Sequence, residues 1–306
     1  MSFMKCATAM IGLFTLAAFS TDGLPEQPID SLVKNSHKQE NNLIKEQTLT
    51  IKMVPTYGPH GAKRPTEYIQ GDRFFADYRV VGLKTTDKKK TAHTMTFDLS
   101  DASGNRIIHK SLGSAPSSEG FLSDNQCGIL EFITIQPPGC YEVSLTVRDH
   151  LAECEAVTRV PITIIPKGTF GATHIRYSWD GTNESPCGWC IPSGATVDIL
   201  YRLSGCKIYE GKLCVHGSYY ARNHGTDAIV GDRLSIRMSG AVTAQPSQWI
   251  PLTVYGLPPG RYDIILHLED KLAREQAKKA DTQDNANLKI TEANYIIPLR
   301  VVDPCE

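Results

Sequence analysis

The segment Pro137-Pro138-Gly139-Cys140-Tyr141-Glu142-Val143 runs on to Asp149-His150-Leu151-Ala152 and returns 121 residues later. The second copy is Pro258-Pro259-Gly260-Arg261-Tyr262-Asp263-Ile264, running on to Asp270-Lys271-Leu272-Ala273. A motif that recurs at a domain-length spacing means that the chain is built twice from one unit. A second pair supports this. Gly71 precedes Tyr78-Arg79-Val80-Val81-Gly82 by seven residues, and Gly194 precedes Tyr201-Arg202-Leu203-Ser204-Gly205 by the same interval. Val160-Pro161-Ile162 matches Ile297-Pro298-Leu299 at an offset of 137, so the second unit has gained 16 residues before its last strand.

The repeated segments have a period of two. Tyr141, Val143, Leu145 and Val147 alternate with polar residues, as do Tyr262, Ile264, Leu266 and Leu268. Phe74, Ala76, Tyr78 and Val80 match Val197, Ile199, Tyr201 and Leu203 in an earlier strand. Side chains alternate faces along a strand, so each segment buries one face and wets the other. Pro-Pro-Gly is turn chemistry, because proline fixes φ and glycine tolerates positive φ. The expected fold is all-β, with two tandem antiparallel β-sandwiches. A helix is expected only over Asp270–Lys279, within the insertion.

At 306 residues the chain has room for about two domains. The expected division is a signal peptide over 1–20, a polar leader over 21–47, and sandwich domains over 48–167 and 168–306. Residues Met1–Lys5 carry one positive charge, Ala9–Phe19 is apolar, and Ala18-Phe19-Ser20 supplies small residues for cleavage. Export to the periplasm, cell surface or medium is therefore expected, with no integral membrane segment after cleavage. A net charge of −1 supplies no basic excess for nucleic acid.

Leu257-Pro-Pro-Gly-Arg-Tyr262, followed by an alternating strand, resembles the E–F corner of fibronectin type III and related immunoglobulin-like sandwiches. Tyr141 and Tyr262 stand where such folds place a corner tyrosine. Gly71-Asp72-Arg73-Phe74-Phe75-Ala76-Asp77-Tyr78-Arg79 and its strand neighbours also resemble uncharacterised exported proteins of planctomycete-type bacteria with tandem domains. The resemblance covers roughly residues 65–303 and implies an architecture without an activity. The chain departs from antibody domains in having no paired core cysteines on these strands.

Removal of the signal peptide takes Cys6 and leaves Cys127, Cys140, Cys154, Cys187, Cys190, Cys206, Cys214 and Cys305. An even count in an exported chain makes all eight disulfide candidates. Cys127 and Cys154 are expected at the end of the sandwich remote from the Pro-Pro-Gly turn and form the preferred pair. Cys140 and Cys154 are about 26 Å apart along the strand and are not expected to bond. Cys140 faces the domain junction, and Cys305 can reach the loop of Cys187 and Cys190. Cys187-Gly188-Trp189-Cys190 lacks the helix context of a redox pair. Cys187, Cys190, Cys206 and Cys214, with His216, form a weaker zinc candidate.

His216 and His224 flank Tyr219, Tyr220 and Arg222, and a site there needs a carboxylate such as Asp227 or Asp232. Lys88-Lys89-Lys90 reads as a solvated loop tip. Asp281, Asp284, Asn285 and Asn287 miss the calcium-loop spacing, and Asn183-Glu184-Ser185 matches a glycosylation acceptor. Serine-hydrolase, zinc-protease and Walker motifs are absent from the sequence. No catalytic residue and no cofactor is expected. The first expectation is a non-catalytic structural, adhesive or ligand-presenting protein that meets a protein, cell-surface or glycan partner. Its lengthened loops at 206–232 and 271–294 are the expected contact points. The alternative is a metal- or thiol-dependent activity at the cysteine loops of the second domain.

Overall fold

The computed structural model describes residues 48–86, 91–112, 125–181, 186–226, 228–241, 249–279 and 291–303. The expected signal peptide and leader, Lys88-Lys89-Lys90, Asn183-Glu184-Ser185, Asp227, Asp281, Asp284, Asn285, Asn287 and Cys305 lie outside the described residues. The first half contains β1 (Thr50–Pro55), β2 (Glu67–Ile69), β3 (Arg73–Val81), β4 (His93–Asp101), β5 (Arg106–Ser111), β6 (Asn125–Ile133), β7 (Gly139–Asp149) and β8 (Cys154–Ile165). The second contains β9 (Gly171–Ser178), β10 (Pro186–Cys187), β11 (Cys190–Pro192), β12 (Val197–Ser204), β13 (Lys212–Asn223), β14 (Ile229–Ala241), β15 (Ile250–Val254), β16 (Gly260–Asp270), α1 (Lys271–Lys279) and β17 (Glu292–Val302).

The two halves are wired alike. The first pairs a sheet β1-β3-β6 with a sheet β2-β8-β7-β4-β5. The second pairs β10-β9-β12-β15 with β11-β17-β16-β13-β14. In each, the opening strand is split between the sheets, and its second piece lies parallel to the last strand: Tyr68 opposite Ile164, Ile191 opposite Val301. The remaining pairings are antiparallel. These are two immunoglobulin-like β-sandwiches, as the repeat implies. The inward residues expected from the alternation form the cores. Phe74, Val143, Leu145 and Ile162 are buried in one, and Ile199, Tyr201, Ile264 and Leu266 in the other. Burial of each large apolar side chain stabilises the fold by roughly 1.5–3 kcal/mol.

The repeated motifs are structural devices. Tyr141 Oη donates to the Pro137 carbonyl at 2.7 Å, and Tyr262 Oη donates to the Pro258 carbonyl at the same distance. Each bond pins the turn to the strand beyond it. The aspartate of D-x-L-A also does the same work twice. Asp149 Oδ2 accepts the Lys84 N–H and Asp270 Oδ2 accepts the Lys207 N–H, both at 2.6 Å. Each buried carboxylate thus ties the loop after β3 or β12 to the far end of the sheet opposite. Gly82 and Gly205 begin that loop with positive φ, and a Cβ there would strike the Thr48 or Thr169 carbonyl at 2.7 and 2.3 Å.

The same aspartate explains where the halves diverge. Asp149 Oδ1 accepts the Leu151 and Ala152 N–H groups and closes a short turn into β8. Asp270 Oδ1 accepts the Ala273 N–H, which is N-cap geometry, and α1 continues over Lys271–Lys279. The helix expected over Asp270–Lys279 is therefore present, with Asp270 as its cap. The expectation of a lengthened loop over 206–232 is corrected, since β13 and β14 occupy most of it as a hairpin. Most side chains of β13 are half-buried or exposed on both faces, so the two-residue signal is weak. No helix among the described residues is long and apolar enough to cross a membrane.

Candidate functional site

The halves are joined by more than the linker at 166–168. The loop between β1 and β2 folds back on itself, with the Tyr57 N–H donating to Ala62 O and the Arg64 N–H to Pro55 O. Tyr57 and Ala62 then leave the first sandwich and are buried in the core of the second. Tyr57 Oη reaches the Ile296 carbonyl at 3.4 Å, and the Trp189 N–H reaches the His60 carbonyl at 3.3 Å. Gly58 makes the approach possible: its φ is +76°, and a Cβ there would lie 2.6 Å from Cβ of Arg176.

Asp72, at the entry to β3, is the polar centre of this junction and is only 2% exposed. Its Oδ2 pairs with Arg64 Nη2 at 3.0 Å. Its Oδ1 accepts the Arg73 N–H at 2.7 Å and, across the junction, the His174 N–H at 2.5 Å. Arg64 lies over the ring of Tyr68, its guanidinium carbon 4.0 Å from the centroid. His174 sits at a register shift between β9 and β12, with φ +58°. The corresponding pairing of β1 with β3 runs without interruption. The second half has thus gained a β-bulge, which re-aims the backbone toward Asp72.

A band of guanidinium groups flanks this centre. Arg176 on β9 and Arg202 on β12 lie 4.1 and 4.4 Å from the ring centroid of Trp249, which immediately precedes β15. The His174 ring meets the same indole edge-on at 6.1 Å. Arg73 pairs with Glu131 across β3 and β6. Burial, opposed by Asp72 and reinforced by Arg202, Arg73 and Arg176, lowers the His174 pKa to about 4. Burial, reinforced by the like charge of Arg73, brings Arg176 down to about 10. Arg176 is 6% exposed. Its Nε and Nη2, together with Nε of Arg202 and Nδ1 of His174, have no hydrogen-bond partner among the described residues.

The cysteines stand elsewhere. The seven described ones are free thiols. Cys127 on β6 and Cys154 on β8 belong to different sheets of the first half, and Cys140 is exposed beside an open cleft of about 380 Å³ at the β4–β5 turn. Cys187 and Cys190 straddle the crossover from one sheet of the second half to the other. Cys206 occupies the position of Leu83 in the repeat and packs against the second core. Burial pushes the Cys187 and Cys206 thiols up to about 12. Cys214 Sγ lies 3.7 Å from His216 Nε2. Among the described residues, no three His, Cys, Asp or Glu side chains gather as a metal site. His224 takes Asp263 as its carboxylate, Nδ1 to Oδ1 at 2.9 Å, and Asp232 is exposed on β14.

Arg176, Arg202, His174 and Trp249 are not among the candidates that the sequence offers. Arg202 repeats Arg79, and the signal lies in its neighbours, which depart from the repeat. Asp72 follows Gly71, whereas the matching Gly194 is followed by Ala195. The extra residue at His174 breaks an otherwise constant strand register.

No protein-family model matches the chain, and no curated protein matches it. Among solved structures it is similar to Escherichia coli alpha-2-macroglobulin activated by porcine elastase, at 8% identity and a TM-score of 0.26, over 83% of this chain and 22% of that one. The chain thus spans about a fifth of that protein's length. It is also similar to an immunoglobulin-like protein from Pseudomonas aeruginosa, at 11% identity and a TM-score of 0.24, over 40% of this chain and 99% of that one. A third similarity is to fibronectin(III)-like modules of Clostridium thermocellum CbhA, at 9% identity and a TM-score of 0.24, over 82% and 95% of the respective chains. The fold class rests on the strand order and the two tyrosine corners of this chain.

Proposed function

We propose that the chain is a non-catalytic, exported ligand-presenting protein whose two sandwiches act as one rigid body and meet their partner at the junction face. One observation carries the reading. The corner tyrosines and the D-x-L-A aspartates are consumed in holding the fold, whereas Asp72, His174 and Arg176, which break the repeat, converge at the junction, where the Arg176 guanidinium is buried and unsatisfied among the described residues. Buried polar groups without partners are uncommon and mark places where a structure does more than fold. A rigid pair of sandwiches is also a suitable platform for holding a partner.

The test is saturable binding of the purified chain to envelope fragments of the producing cell, measured beside an Asp72→Ala variant. Saturable binding that weakens at least tenfold in the variant supports the reading. Equal binding by both proteins, or no binding by the wild type, overturns it.

A further inference from the structure

The junction carries an excess of positive charge. Arg64 is matched by Asp72 and Arg73 by Glu131. Arg176 and Arg202 have no carboxylate within ion-pair distance among the described residues, and both rest on the Trp249 ring instead. His174, neutral at pH 7, adds nothing to the balance. Around Trp249 and Asp72 four guanidiniums face two carboxylates, while the third carboxylate of the junction, Asp77, is engaged by the backbone N–H and ring of His60. The Arg73 and His174 N–H groups meet on one oxygen of Asp72, and His174, Arg176 and Arg202 meet on one indole, so the three arginines share one locality.

A buried guanidinium with unused N–H groups calls for an acceptor, because desolvation without a partner is costly. Arg176 is more than nine-tenths buried with Nε and Nη2 unused among the described residues, while Arg73 and Arg202 are only partly buried. Planar guanidinium forks match carboxylate and phosphate oxygens. Three such forks offer more donors than one carboxylate can accept. A tetrahedral group of charge close to −2 satisfies both the donor count and the charge.

We propose that Arg73, Arg176 and Arg202, beside Trp249, form a binding site for a tetrahedral dianion: sulfate or phosphate, free or as a phosphate monoester on a larger ligand. The proposal rests on the junction as the functional face and names the chemistry it accepts.

The experiment titrates the full chain at pH 7.5 with sodium sulfate, inorganic phosphate and glycerol phosphate by calorimetry, at constant ionic strength set with chloride. The expected result is saturable one-to-one binding of at least one of these probes, weakened tenfold or more in Arg176→Gln,Arg202→Gln. Circular dichroism confirms that the variant is folded. Should the double variant fail to fold, Arg202→Gln alone serves, with the same direction expected. Tighter binding of glycerol phosphate than of the inorganic ions assigns the site to ester groups, and the reverse assigns it to the free ion. Absence of saturable binding by all three probes overturns the proposal, as does equal binding by wild type and variant. Envelope binding that persists without anion binding would overturn this proposal alone. Anion binding without envelope binding would overturn the functional reading alone.

Discussion

Tyr141 and Tyr262 show how one side chain fixes the geometry of a turn. Each ring is buried at the start of a strand while its hydroxyl reaches back four residues to a proline carbonyl. Tyr262→Phe keeps the ring and removes the bond, so it should destabilise the chain by about 1 kcal/mol. Tyr141→Phe should do the same, and the pair should be additive because the corners share no partner. Urea denaturation of the two single variants and the double variant measures this. A second effect at this scale concerns His174. Its pKa is about 4 folded against about 6.5 unfolded. Its contribution is therefore fully present above pH 6.5 and is lost as pH falls toward 4. Between pH 7 and pH 5 the wild type should lose about 2 kcal/mol through this residue. His174→Asn tolerates the positive φ and should remove that part of the pH dependence. Denaturant melts at the two pH values check it. An unchanged slope would contradict the burial account.

At the scale of the element, Asp149 and Asp270 each close one strand and start the next segment. The carboxylate holds two places at once, a loop N–H from across the sandwich and the first turn after the strand. Asp270→Ala should therefore cost about 3 kcal/mol, because it empties a buried acceptor of charge-assisted bonds and uncaps α1. Hydrogen exchange should show faster opening at Lys207 and along Lys271–Lys279, with the first half unaffected. Exchange confined to the helix would mean that the loop tie contributes nothing. Strands and turns of this kind are legible in the sequence because a repeat states each device twice. The C-x-x-C segment is less legible. Its two cysteines serve two different sheets, and which sheet a two-residue strand joins is set by its partner strands rather than by its own residues. The β13–β14 hairpin escapes the sequence for a related reason, because the side chains of β13 do not separate cleanly into inner and outer faces.

For the whole molecule, the decisive contacts are those between residues far apart in the chain. Asp72 and His174 are 102 positions apart, and no local pattern predicts that a carboxylate in one sandwich will hold an N–H of the next. The repeat implies two sandwiches, but identical units carry no instruction for their mutual packing. The residues that differ between the copies carry it: Asp72, His174, and the loop with Tyr57 and Ala62. Asp72→Ala should leave Arg64 buried without its counterion, at a cost of about 3–5 kcal/mol. It should also release the second half from the first. Calorimetry should then show two unfolding transitions where the wild type shows one. A single transition, merely shifted downward, would mean that the apolar contacts of the loop suffice to hold the halves together.

The placement of Tyr57 and Ala62 bears on how such a chain can be inherited. Tandem sandwiches generally pass between proteins as interchangeable parts, each complete in itself. Here the second part lacks two pieces of its own interior, which the first part supplies. Transplanted alone, it would carry an open wound in its core, and the first would carry an aromatic loop with nothing to enter. Separated at the linker, neither half would keep the packing that it has in the whole chain.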